Sequence, residues 1–163
     1  RWSRYINRFE RPERLPEDSF SQPKGASVLV LGMGRVGTGA YDSMQENSKS
    51  DVCGVDVDRG RVASHCDAGR NVIAADAEDP NFWSHIQLDT IELIMLSMPN
   101  YQDAIEVIKQ IQYAGYKGKI AGIARYRDEE KELLEAGINV VFNFYAKAGT
   151  GLADESIHLL SKK

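Results

Sequence analysis

The chain has 163 residues, of which 42% are hydrophobic and 27% charged, and 24 acidic against 20 basic side chains give a formal net charge of -4. That length suits one ordinary domain with a core and leaves no room for a second of similar size. The negative balance supplies no global attraction for nucleic acid, and the longest apolar runs, Val28 to Leu31 and Leu93 to Leu96, fall far short of the roughly 20 residues that cross a bilayer.

Residues 1–25, rich in Arg, Glu and Pro, read as an N-terminal arm or linker ahead of a folded domain over 26–163. Trp2, Tyr5, Ile6 and Phe9 fall on one helical stripe, which suits either a surface arm or a connection that docks upstream. The chain begins at Arg1 with no apolar signal core after it, the pattern of a piece of a longer polypeptide. Cys53 and Cys66 show neither CxxC nor framework spacing, as expected of bystander thiols in a reducing compartment.

From Ser27 onward, short β-like runs alternate with helical segments. The spacing predicts strands near 27–32, 51–57, 71–76, 91–98, 119–124 and 139–143, and helices near 35–48, 59–68, 79–86, 100–114, 127–136 and 149–161. Such alternation implies an α/β, Rossmann-like doubly wound parallel six-stranded sheet with strand order 3-2-1-4-5-6. In the fourth helix Asn100 is placed to cap the start and Gly115 to end it, with Ala104, Ile108 and Ile111 on a shared face.

The first strand runs into Gly32, Gly34 and Gly37, the GxGxxG spacing between a strand and a helix that cradles a dinucleotide pyrophosphate. Gly32 serves the tight turn, Gly34 the approach of the backbone to the phosphate, and Gly37 the packing of helix on strand, while free amides at the helix start face the anion. Asp56 ends the second strand about 20 residues on, where a carboxylate accepts ribose hydroxyls and repels a 2′-phosphate, so NAD(H) or an adenine nucleotide is favoured over NADP(H). Asp58 is read as the next helix cap, and Arg59 and Arg61 as solvated side chains within reach of the ribose. Arg35 opposes the helix dipole, a penalty that a bound anion removes. Asp76 with Ala77 ends the third strand, facing an adenine or capping the helix at Asp79, and Ser97 and Met98 end the fourth at the rim of the same crevice.

Catalytic machinery is sparse. His65, His85 and His158 all fall in helical segments away from strand ends, and the sequence carries no HExxH, GxSxG or metal-spaced Cys/His cluster. The reading is therefore a non-enzyme with no catalytic and no metal-binding residues.

Taken together, VLVLGMGRVG, GVDVD, VIAADAED, ELIMLSMPN and IAGIARYRDEEKELLEAGINVVFN resemble a TrkA-N domain, also called RCK N, over Ser27 to Lys163. The resemblance is strongest to the cytoplasmic regulatory domain of Kef-type, glutathione-regulated potassium efflux antiporters, on GMGRVG and IARYRDEEKELLEAG. It implies nucleotide contacts, for NAD(H) or an AMP-like adenine nucleotide, from Gly32, Met33, Gly34, Arg35 and Val36, from Asp56 and Val57, and from Asp76 and Ala77. It also implies a homodimer, an attached inner-membrane transporter domain for which residues 1–25 are the linker, and a response to glutathione or its conjugates through Arg35 and Arg125. Leu152, Ser156, Leu159 and Leu160 lie near one face of the last helix, for packing on its own sheet or, as the resemblance implies, on a partner subunit. Two rival readings are an NAD-dependent oxidoreductase and a freestanding potassium-uptake regulatory subunit.

Overall fold

From Val28 onward short apolar runs form strands, and the segments after them form helices that return the chain to the starting edge of the sheet. A computed structural model of the protein describes residues 25–160; the arm and its stripe at Trp2, Tyr5, Ile6 and Phe9 lie outside the described residues. Six strands, β1 (Val28–Leu31), β2 (Val52–Asp56), β3 (Val72–Ala74), β4 (Leu93–Leu96), β5 (Lys119–Ala124) and β6 (Val140–Asn143), pair in parallel in the order β3-β2-β1-β4-β5-β6. The expected doubly wound order is therefore the observed one, with α1 (Arg35–Asn47), α2 (Arg59–Asp67), α3 (Pro80–Ser84), α4 (Tyr101–Tyr113), α5 (Arg127–Glu135) and α6 (Phe144–Ser156) between and after the strands.

Two cores follow from the alternation of side chains along each strand. Leu29 and Leu31 join Cys53, Val55, Ile94 and Leu96 under Ala104, Val107, Ile108 and Ile111 of α4, with Phe82, Trp83 and Leu133 from α3 and α5. Val28 and Val30 point the other way, onto Met33, Val52, Val72 and Tyr41 of α1. Asn100 caps α4 through the Gln102 amide, 3.0 Å away, and Gly115 takes the left-handed φ of 82° just past its end, as expected.

The last helix differs from expectation. It runs from Phe144 to Ser156, with a 3-10 turn over Ile157–Leu159, rather than over 149–161. The Asn143 side chain accepts the Ala146 amide at 3.1 Å and so starts the helix as soon as β6 ends, despite the aromatic and glycine residues that follow. The face expected to pack on its own sheet does not: α6 buries no residue, and Leu152 is 71% exposed. Val140 and Phe142 of the edge strand β6, in register with Ala121 and Ile123, are also exposed.

Candidate functional site

A glycine turn at the carboxyl end of β1 is held from three sides. Gly32 has a φ of +89°, open to glycine at little cost, and its amide donates to the Val55 carbonyl of β2 at 2.9 Å. The Ser97 hydroxyl, at the end of β4, lies 3.0 Å from the Leu31 carbonyl and 2.8 Å from that of Gly32, its single proton serving one or the other. Gly37 packs directly under the turn: a Cβ there would overlap the Gly32 carbonyl oxygen and stand 2.8 Å from Ser97 Oγ. Gly34, by contrast, faces open space, where a Cβ would meet no protein atom within 4 Å.

Met33 links this turn to the second strand. Its side chain is buried against Gly54, and its amide donates to Asp56 Oδ2 at 2.7 Å. Its carbonyl lies 2.9 Å from His65 Nε2, which therefore donates. In a trans peptide the Gly34 N–H points opposite to that carbonyl, away from α2. The start of α1, at Gly34 and Arg35, has no side-chain cap and no acidic residue in its first turn. Free amides and the positive end of the helix dipole thus meet at the open face of Gly34, an arrangement suited to an anion. Arg35 is exposed there and makes no ion pair with any described residue.

Asp56 is 5% exposed at the end of β2. Burial opposes its charge, but the Asp58 amide at 2.9 Å, the Arg61 side chain at 2.8 Å and the Met33 amide outweigh it, and the carboxyl's pKa lies below its ordinary value. Asp58 caps α2 by accepting the Arg61 amide at 2.9 Å, as expected. Arg61 departs from expectation: it is not merely solvated but ion-paired to Asp56. The turn explains the pairing, since the Asp58 cap brings the first turn of α2 back over the strand end. Val57 is exposed beside it.

At the ends of the neighbouring strands the site continues. Asp76 is exposed and accepts the Glu78 amide at 2.9 Å, while the helix cap is Asp79, which accepts from Asn81; the Ala77 carbonyl receives the Trp83 indole N–H at 2.8 Å. On the other side of the turn, Val36, Met98, Tyr101, Arg125, Phe144 and Tyr145 line a cavity of about 190 Å³. Arg125 spans its wall, donating from Nη2 to the Pro99 carbonyl at 2.7 Å, and its amide donates to the buried Glu129 carboxylate at 2.7 Å. A separate cavity at the opposite edge of the sheet is lined by Tyr41, Asp42 and Arg70, the last two ion-paired at 2.7 Å.

All twelve expected binding residues thus fall at the carboxyl edge of the sheet, where the strand order reverses between β1 and β4 and a doubly wound fold opens its crevice. Arg61, expected within reach of the ribose, is tied to the Asp56 carboxylate, a pairing signalled in the sequence only by its place three residues after the Asp58 cap; His65, a helical position whose partner is 32 residues away, carries no such signal. Among the described residues no group of His, Cys, Asp and Glu is placed to hold a metal ion, and no helix is long and apolar enough to cross a membrane.

A family model described as the TrkA-N domain matches residues 28–144. Among solved structures, the TrkA-N domain of inner membrane protein ybaL from Escherichia coli is 22% identical, with a TM-score of 0.67 over 83% of this chain and 98% of that one. The Shewanella denitrificans Kef CTD in its AMP-bound form is 16% identical, with a TM-score of 0.69 over 83% and 82%. The NAD(P)-binding domain of an exopolyphosphatase-related protein from Archaeoglobus fulgidus is 17% identical, with a TM-score of 0.75 over 83% and 99%. At these identities the likeness establishes the fold. No curated protein sequence matches the chain.

Proposed function

Because the chain belongs to the TrkA-N domain family, we propose that it is a regulatory domain that senses NAD(H) or an AMP-like adenine nucleotide and passes the ligand state to a potassium efflux, K+/H+ antiport, system. The observation that carries the reading is the start of α1: uncapped amides, an Arg35 with no ion pair among the described residues and the open face of Gly34 lie together. A pyrophosphate or 5′-phosphate there would accept from the first-turn amides, Asp56 would take the ribose hydroxyls, and Asp76 lies where an adenine amino group would arrive. Val36, Val57, Ala77, Ser97 and Met98 complete the walls in this reading. The Kef CTD structure, which carries AMP, supports the ligand class.

The same reading makes the domain a non-enzyme that acts as a homodimer on the cytoplasmic side of an inner-membrane transporter, joined to it through residues 1–25. A helix that buries none of its residues, beside an exposed apolar edge strand, supports a partner subunit at α6. Arg35 and Arg125 are the side chains through which glutathione or a conjugate would act. Ligand binding regulates only by binding two dimer arrangements with different affinity.

The test is calorimetric titration of the chain with AMP, ATP, NAD+ and NADH, each alone and with glutathione. Micromolar binding of at least one, lost in Asp56→Ala, is the expected result. No binding by any of them would sink the reading, and turnover of NADH with a metabolite would replace it with an oxidoreductase.

A further inference from the structure

The Asp56 carboxylate is fully engaged within the chain itself. Two carboxylate oxygens offer about four lone-pair sites. Two of these go to main-chain donors, the Asp58 amide on Oδ1 at 2.9 Å and the Met33 amide on Oδ2 at 2.7 Å. The other two face one nitrogen, Arg61 Nη1, 3.0 Å from Oδ1 and 2.8 Å from Oδ2. The Asp56 side chain is 3% exposed and that of Arg61 45%, so the guanidinium is the cover between carboxylate and solvent.

The two amides are not free to leave. Asp58 is fixed as the α2 cap, and Met33 is tied at its carbonyl by His65. A ribose diol that donates two hydrogen bonds to Asp56 must take the two sites that Arg61 holds. Arg61 can yield them, because it is half in water and has a second carboxylate nearby, Asp58 Oδ2, 3.9 Å from Nη2.

We propose that Arg61 sets the ligand selectivity of the ribose subsite: a free 2′,3′-diol displaces its guanidinium from Asp56, whereas a ligand with a phosphate on the ribose 2′ oxygen in place of that diol leaves the pair standing and meets the guanidinium with its phosphate. This inference rests on the nucleotide reading above. Asp56 alone would exclude 2′-phosphorylated nucleotides, whereas the Asp56–Arg61 pair is neutral and admits them. The guanidinium is suited to this because it pairs with phosphate in a planar, two-point geometry.

The test is calorimetric titration of the full chain and its Arg61→Ala, Arg61→Gln and Arg61→Lys variants with AMP, NAD+ and NADP+. In Arg61→Ala and Arg61→Gln, AMP and NAD+ should bind about two- to fivefold tighter, since a half-exposed pair no longer competes. NADP+ should bind about tenfold weaker in both. Arg61→Lys retains the charge and should keep the NAD+ to NADP+ ratio within about threefold of wild type. Urea midpoints identify any variant that fails to fold, in which case the other neutral variant decides. Binding to wild type with an unchanged ratio in the neutral variants overturns the assignment alone; absence of binding to wild type overturns the nucleotide reading, and this inference with it.

Discussion

Gly37 and Gly32 touch across the first turn so closely that a Cβ on Gly37 would overlap the Gly32 carbonyl oxygen. The neighbour is backbone, itself bonded to Val55 and Ser97, and cannot give way. Gly37→Ala should therefore destabilise the fold by about 3 kcal/mol, the upper end for overpacking, and this is read from the urea midpoint. Gly34→Ala makes the opposite separation. Its Cβ meets no protein atom, so stability should change by less than about 1 kcal/mol, the propensity scale of glycine against alanine, while nucleotide affinity drops about tenfold or more. Equal stability losses in the two variants would refute the distinct roles.

His65 holds the Met33 carbonyl in a buried place, at 2.9 Å. Replacement by Leu leaves that carbonyl only the Thr38 hydroxyl, 3.3 Å away, and should cost about 1–2 kcal/mol, with a parallel loss of affinity because the same residue, Met33, donates its amide to the Asp56 carboxylate. A change below about 0.5 kcal/mol in chemical denaturation would show that the contact contributes little.

Asp56 gives the protein a dependence on acid. Its folded pKa is depressed, so the stability it contributes is complete above the unfolded value, about 3.9, and is lost as pH falls through the folded value. Wild type should lose stability relative to Asp56→Asn on going from pH 5 to pH 2, because the variant has no such carboxylate to protonate. Parallel curves of urea midpoint against pH would contradict this.

Burial pushes the Cys53 thiol up to about 12, with Cys66 adding to the shift, and Cys53 is 0% exposed on β2. Cys66 is exposed. An aromatic disulfide reagent at pH 8 should titrate about one thiol per native chain and two in denaturant, and Cys66→Ser should abolish the native reaction. Fast labelling of that variant would mean the core opens readily.

Leu152, Leu159 and Leu160 are more than two-thirds exposed on and after α6. If α6 packs on a partner subunit, Leu152→Glu should shift the protein from dimer to monomer in sedimentation equilibrium, while the urea midpoint at low protein concentration stays within about 0.5 kcal/mol in equivalent stability, as for other exposed positions. A wild-type monomer at tens of micromolar would remove that reading.

Strand order, the glycine turn after the first strand and its place at the carboxyl edge of the sheet were all legible in the sequence. They depend on local matters: apolar runs of strand length, glycines at fixed offsets, caps at Asp58, Asp79 and Asn100 that act within three residues, and a crossover handedness shared by all such sheets. Only the tertiary structure decided what occupies Asp56, because the partners that saturate it come from the glycine turn, the strand end and the next helix at once. It also decided that the face of α6 with Leu152 lies off the sheet. An exposed helix and a packed one differ in what lies beside them, and the residue types of AGTGLADESIHLL suit both.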